Sequence, residues 1–230
     1  RENRPVGLAV IDDPADGRAP TLDSMRPLQL FVRSAALILQ NHQLLTEVQK
    51  LAVTDELTGL ANHRAFQRAL EIEFSRAARY SYPLSLIVAD IDGFKLYNDT
   101  FGHPAGNRRL QAIGRLLRDS VRDPDLAARY GGEEFVLIMP HTGKEGALVL
   151  AERVRILAED SAPRATQPLG SHSQPVTVRP GRPVSGYTLS FGVASFPQDA
   201  DTASDLLLAA DQAELAAKKA GKNRVVAANE

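Results

Sequence analysis

Inside the stretch Leu126–Met139 the chain places Arg129-Tyr130-Gly131-Gly132-Glu133-Glu134-Phe135. A glycine pair between two strand-like runs demands a tight antiparallel reversal. Around it, helical spacing covers 61–80, 105–121, 143–159 and 203–220, while apolar runs at Leu84–Ile91 and Tyr187–Phe196 read as strands. Interleaved helices and strands that must also accommodate a hairpin have one simple solution. That solution is an α/β (α+β) sandwich, with a mixed, mostly antiparallel central sheet flanked by helices. Gly221 stands just past the last helix, where a left-handed C-terminal cap favours glycine.

Composition narrows the chemistry. The 230 residues carry 27 Lys+Arg against 28 Asp+Glu and contain no cysteine. A thiolate metal site, a disulfide framework and a catalytic thiol are therefore excluded, and the lack of cysteine fits a reducing, cytoplasmic compartment. Balanced charge argues against a surface built to coat nucleic acid. The longest apolar stretches, such as Ala35–Leu39 and Leu206–Ala210, fall far short of the roughly 18 residues that mark a membrane span. The chain begins with Arg1 and has no signal-peptide layout, so it reads as a piece of something longer.

Three regions are expected along the chain. Residues 1–25 hold one strand-like run, Val6–Ile11, and a turn-rich stretch, too little for a domain. Residues 26–54 follow a helical pattern in which Leu30, Leu37, Leu44 and Leu51 recur every seven positions. This helix could pair with a second copy as a coiled coil, with Asn41 fixing register, or could pack on its own domain. From residue 55 to residue 230 the alternating layout takes over, interrupted at 161–175 by a polar stretch expected to be a flexible surface loop. A small hairpin is expected between it and Tyr187.

The residues that carry chemistry are acidic. Leu84–Ala89 is a buried-strand run that stops at Asp90, which places a carboxylate at a strand end. By itself this could be a strand terminus followed by a helix N-cap. Glu133 and Glu134 stand on the Gly131-Gly132 turn, and strand alternation predicts that a site on one face would see mainly one of them. If Asp90 and Glu133 converge, they form an oxygen-only site of the kind Mg²⁺ shares with substrate phosphates. Glycines beside the acids let a polyphosphate approach backbone N–H donors. Lys218, Lys219 and Lys222 would be favourable near a helix C-terminus whatever they bind.

Six blocks in register carry a resemblance. They are Asp55 through Phe66, Asp90-Ile91-Asp92-Gly93-Phe94-Lys95 with Asn98-Asp99, Gly102-His103, Arg129 through Phe135, Ser190 through Ala194, and Lys218 to Asn223. Together they resemble the GGDEF family of diguanylate cyclases from about Asp55 to Val226. The resemblance implies a palm-like nucleotidyl-cyclase fold that condenses two GTP molecules into cyclic di-GMP and two pyrophosphates. It implies that Asp90, Glu133 and the Ile91 carbonyl hold Mg²⁺, two ions per active site or Mn²⁺ in their place, with Glu134 assisting. It assigns catalysis to Glu133, Lys95 and Glu134, and substrate contacts to Phe94, Asn98, His103, Asn107, Lys218 and Lys222. It also implies a homodimer, because each domain binds one GTP, and this gives the 26–54 helix a signalling purpose. Residues 1–25 would then be the end of a sensor module, such as a GAF domain.

Two further features follow from the resemblance. Where the family has Asp in Gly-His-x-x-Gly-Asp, this chain has Asn107. A carboxylate accepts from both guanine N1–H and the exocyclic amine, whereas an amide offers one acceptor and one donor. Relaxed purine specificity is therefore expected, at a cost of about 1–3 kcal/mol in guanine discrimination. Upstream, Arg122-Asp123-Pro124-Asp125 resembles the family's Arg-x-x-Asp site for product inhibition by cyclic di-GMP. The alternative is a weak or inactive receptor that binds cyclic di-GMP or GTP through Arg122 and Asp125 without turnover.

Overall fold

The computed structural model describes residues 29–41, 53–160 and 187–229. The expectations for residues 1–25, for Leu44 and Leu51, for the 161–175 loop and for the small hairpin before Tyr187 lie outside the described residues. The chain divides into two units, Arg1–Ala52 and Val53–Glu230. In the first, residues 29–41 form a helix, α1, with Leu30 and Leu37 exposed along with Phe31, Val32, Ile38 and Leu39.

The second unit runs α2 (His63–Tyr80), β1 (Leu84–Ile91), α3 (Phe94–Phe101), α4 (His103–Ser120), β2 (Leu126–Gly131), β3 (Glu134–Pro140), α5 (Lys144–Asp160), β4 (Leu189–Phe196), α6 (Ala203–Lys219) and β5 (Val225–Ala227). The five strands lie in the order β2-β3-β1-β4-β5. All neighbours are antiparallel except β4 and β5, which makes the sheet mixed and mostly antiparallel as expected. The central strand β1 is buried along its whole length because helices cover both faces.

Alternation along the strands separates two cores. Ile87, Ala89 and Ile91 of β1, with Phe135, Leu137 and Met139 of β3, face α4 and α5. Leu86, Val88, Val136 and Ile138 face α2 and α6 on the other side. Helix α2 buries Phe66, Leu70, Phe74 and Ala77, a stripe at helical spacing, and starts where the Asn62 side chain accepts from the Ala65 N–H at 3.0 Å. Helix α6 presents Ala203, Ala210, Ala213 and Ala217 to the sheet, so it packs close. Its closest approach is at Gly192 of β4, where a Cβ would run into the backbone at Ala210 and Glu214. The helix ends in a Schellman motif in which Lys222 N–H donates to Ala217 O at 3.0 Å and Gly221 N–H to Lys218 O at 3.3 Å. Gly221, with φ of 118°, fills the expected left-handed cap.

Three elements differ from expectation. The sequence Phe94-Lys95-Leu96-Tyr97-Asn98-Asp99-Thr100-Phe101 forms α3, although it carries turn formers and is too short to show an apolar period. Helix α4 begins at His103 rather than at 105, because Pro104 is tolerated in a first turn whose N–H groups need no partner. Strand β5 has three residues and no pattern of its own, and it exists because it completes the edge beside β4.

Candidate active site

Asp90 is the penultimate residue of β1, level with Glu134 of β3 on one side and Ser190 of β4 on the other. It shares the α6-facing side of the strand with Leu86 and Val88 and is 5% exposed. Burial pushes its carboxyl above the ordinary range; the neighbouring Lys218 cation offsets part of that rise and the Asp92 charge adds to it. Glu133 occupies the turn and Glu134 opens β3, and the Ile91 N–H donates to Glu133 O at 3.3 Å, tying the turn to the end of β1. Both glutamates are also raised, first by burial and then by the Asp90 charge, and both feel the attraction of Lys218. Glu133 lies in the turn, where strand alternation does not apply, and both acids are close enough to Asp90 to sense its charge.

Lys218 stands among these acids. Its Nζ lies 3.0 Å from Asp90 Oδ2 and 3.0 Å from Glu214 Oε1. Burial alone would lower its affinity for a proton, but Glu214 and Asp90 together outweigh that and raise it. Glu214 is itself 5% exposed and raised by burial. It is a site residue that the sequence reading missed, because nothing but its i, i+4 spacing to Lys218 marks it on an alanine-rich helix. Lys95, in the first turn of α3, and Lys222, on the turn after α6, are exposed; the Lys222 charge lowers the Asp90 carboxyl.

This donor set fits a divalent cation. Carboxylates that burial and mutual repulsion hold above their ordinary range gain when a cation arrives. Among the described residues no group of three acids or imidazoles surrounds a single point. A bound Mg²⁺ would thus take few protein oxygens and complete its octahedron from water and phosphate, as this ion usually does.

Helices α3 and α4 meet beside the acids. Phe94 is buried, Asn98 is half-buried, and the first two turns of α4 expose His103 and Asn107. The Asn98 Oδ1 is buried without a hydrogen-bond partner and sits against Gly106, where any Cβ would collide with it. Arg109, one turn further along α4, is buried with its guanidinium 3.4 Å above the Tyr97 ring.

The approach to the acidic turn is braced from the start of the unit. Asp55 Oδ1 accepts from Thr58 N–H at 2.8 Å and Thr58 Oγ1 at 2.7 Å, and Asp55 Oδ2 pairs with Arg129 Nη1 at 3.2 Å. Arg129 Nη2 in turn donates to Gly132 O at 2.7 Å, which fixes the carbonyl before Glu133. These contacts hold the Asp55 carboxyl below its ordinary value despite partial burial.

Arg122 and Asp125 lie apart from the acids, in front of β2. Arg122 Nη2 donates to Asp125 Oδ1 at 2.9 Å and Nε to Oδ2 at 3.2 Å, a two-pronged pair. The Asp125 side chain is 1% exposed and that of Arg122 57%, so the guanidinium is the accessible partner. The pair opens on a cavity of about 260 Å³ that Met139, Thr142, Val149 and Arg153 also line. Arg153, on α5, lines the same cavity and was not marked by the sequence; its Nη2 donates to Ser120 O at 2.8 Å.

Comparison with known proteins points to one family. The family described as "Diguanylate cyclase, GGDEF domain" matches residues 52–224. The response regulator PleD of Caulobacter vibrioides is 42% identical over 177 residues, 77% of this chain and 36% of that protein. Diguanylate cyclase DgcP of Pseudomonas aeruginosa is 38% identical over 184 residues, 80% of this chain and 25% of its own length. The chain thus spans only a quarter to about a third of these relatives. Among solved structures, the coiled coil and GGDEF domain of DgcB from Caulobacter crescentus in complex with c-di-GMP superposes with a TM-score of 0.75 at 28% identity, covering 87% of this chain and 98% of that one. The active GGEEF domain of a diguanylate cyclase from Vibrio cholerae gives a TM-score of 0.61 at 31% identity, covering 74% and 99%.

Proposed function

The chain belongs to the GGDEF family of diguanylate cyclases, and on that premise we propose that it condenses two GTP molecules into cyclic di-GMP with release of two pyrophosphates. The observation that carries this reading is the meeting of Asp90, Glu133, Glu134 and Lys218 at one end of the sheet, with three raised carboxyls beside one cation. Asp90, Glu133 and the Ile91 carbonyl would hold Mg²⁺, two ions per site, with Glu134 assisting. When bound, the metal supplies Lewis-acid polarisation of the α-phosphate and makes the ribose 3′-hydroxyl more acidic. The 3′-oxygen of one GTP bonds to the α-phosphorus of the other, the bond to pyrophosphate breaks, and the hydroxyl proton leaves to a raised carboxylate, Glu133 or Glu134. Lys95 neutralises charge on the transferring phosphate, while Lys218 and Lys222 face the γ-phosphate.

Asn98, His103, Phe94 and Asn107 line the base site in this reading. One site holds one GTP, so two copies must face each other, and the α1 region with its exposed leucines supplies the pairing surface. A GTP substrate fits the expected cytoplasmic location, and among the described residues no helix is long and apolar enough to cross a membrane. Arg122 and Asp125 form the product-inhibition site.

Incubation of the chain with GTP and Mg²⁺, followed by chromatography, tests the assignment. Cyclic di-GMP should form, and Asp90→Asn should lower its rate by at least about a hundredfold. Asn107→Asp should raise preference for GTP over ATP by about tenfold to a hundredfold. Unchanged purine selectivity would remove the role given to Asn107. Binding of cyclic di-GMP without turnover of GTP would favour the second reading, a receptor, for which Asn107 in place of the family's Asp is the one supporting observation.

A further inference from the structure

Asp92 follows Asp90 by two residues, yet its carboxylate is turned to a different task. Oδ1 accepts from Ser190 Oγ at 2.7 Å, while Oδ2 accepts from Thr188 Oγ1 at 2.7 Å and from the Asn223 backbone N–H at 3.0 Å. The Asp92 N–H donates to Thr188 O at 2.9 Å. Three separate segments meet on this side chain: the β1–α3 turn, the start of β4 and the turn that leaves α6. Both oxygens are engaged by donors, which is not how a carboxylate waits for a cation.

The turn after α6 needs such an anchor. Lys222 and Asn223 are consecutive residues with left-handed backbone, φ 65° and 48°. Side-chain-bearing residues keep that conformation only where the surroundings over-determine it. Here the Asn223 N–H is bound to Asp92 from one side and its Oδ1 accepts from Arg155 Nη1 at 3.0 Å from the other.

We propose that Asp92 is a positioning residue that sets the Lys222 turn against the β1–α3 turn, so that the cations at Lys95 and Lys222 reach the two ends of one bound triphosphate. This rests on the GTP reading above. Without the Asp92 bond the Lys222 turn relaxes, and the part of nucleotide affinity that depends on the γ-phosphate falls.

Substitution separates this role from a charge role. In Asp92→Asn the amide oxygen can take the Oδ2 position and keep the Thr188 and Asn223 bonds, and the amide nitrogen can donate to Ser190 Oγ, whose hydroxyl turns to accept. Asp92→Ala removes every side-chain bond. GTP and GDP affinities of the full chain, measured by calorimetry with Mg²⁺ beside a thermal melt, read the effect. The wild type should prefer GTP over GDP. Asp92→Ala should lower that ratio about tenfold with GDP affinity little changed, and Asp92→Asn should restore it to within about threefold of wild type. Should Asp92→Ala not fold, the double variant Thr188→Val, Ser190→Ala, which removes two donors and leaves the Asn223 bond, should lower the ratio by about threefold. Equal damage in the Asn and Ala variants would show that the charge itself is needed and would overturn the proposal. So would an unchanged GTP to GDP ratio in the variants that remove bonds. A wild type that binds neither nucleotide would instead overturn the GTP reading, and this inference with it.

Discussion

Asp90 sits where its surroundings resist the charged form of its carboxyl. Burial raises its carboxyl and Lys218 compensates only in part. A carboxyl raised on folding contributes stability while it is protonated, and that contribution is lost as pH climbs through the raised value. Asp90→Asn should therefore be more stable than the wild type at pH 7 by about 0.5–2 kcal/mol, while losing the turnover proposed above. The gap should close as pH is lowered to where Asp90 takes up its proton. Urea unfolding of both proteins in chelator across that range measures it, and a less stable Asn variant at pH 7 would mean that the Lys218 pair outweighs the burial. The acid itself was legible because an apolar run that ends in Asp announces a strand end. Glu214 was not, since it owes its place to α6 lying across β1.

The β2–β3 hairpin was legible as an element, because Gly131-Gly132 between apolar runs admits little else, and the structure pairs Arg129 with Phe135 and Gly131 with Glu134. What could not be read was its support. Asp55 reaches Arg129 across the fold, where bridges that join Ala61 to both Thr54 and Ala128 bring those segments together. Helix α3 and strand β5 were likewise hidden, being too short to print a period on the sequence. At the mouth of β2 the Arg122 guanidinium already donates to Asp125, to Thr142 Oγ1 at 2.8 Å and to Pro140 O at 3.3 Å, so a ligand there must offer better acceptors than these. Arg122→Ala should raise the cyclic di-GMP concentration needed for half-inhibition by about tenfold or more, with the initial rate nearly intact. Initial-rate assays with added product measure it, and equal inhibition of wild type and variant would remove the site.

For the whole molecule, the proposed reaction would join substrates held by two copies and would depend on their encounter. Specific activity should rise with protein concentration at low concentration and level off once pairs are complete, and Leu30→Asp with Leu37→Asp should shift that rise to higher concentration. Activity proportional to protein throughout, in wild type and variant alike, would argue against assembly through α1. Strands β1 to β4 and the long helices α2, α4, α5 and α6 lie within the family-matched span, and their periods were plain in the sequence. The contact of α6 with β4 was not plain, because alanine and glycine carry no polarity pattern and their meaning lies in how little space they take. That contact bears on inheritance. Gly192 lies under α6 with no room for a Cβ, and every missense change of a glycine codon adds one. The position is closed to the gradual substitution by which surface residues drift, and one missense step there is enough to unseat α6 from the sheet.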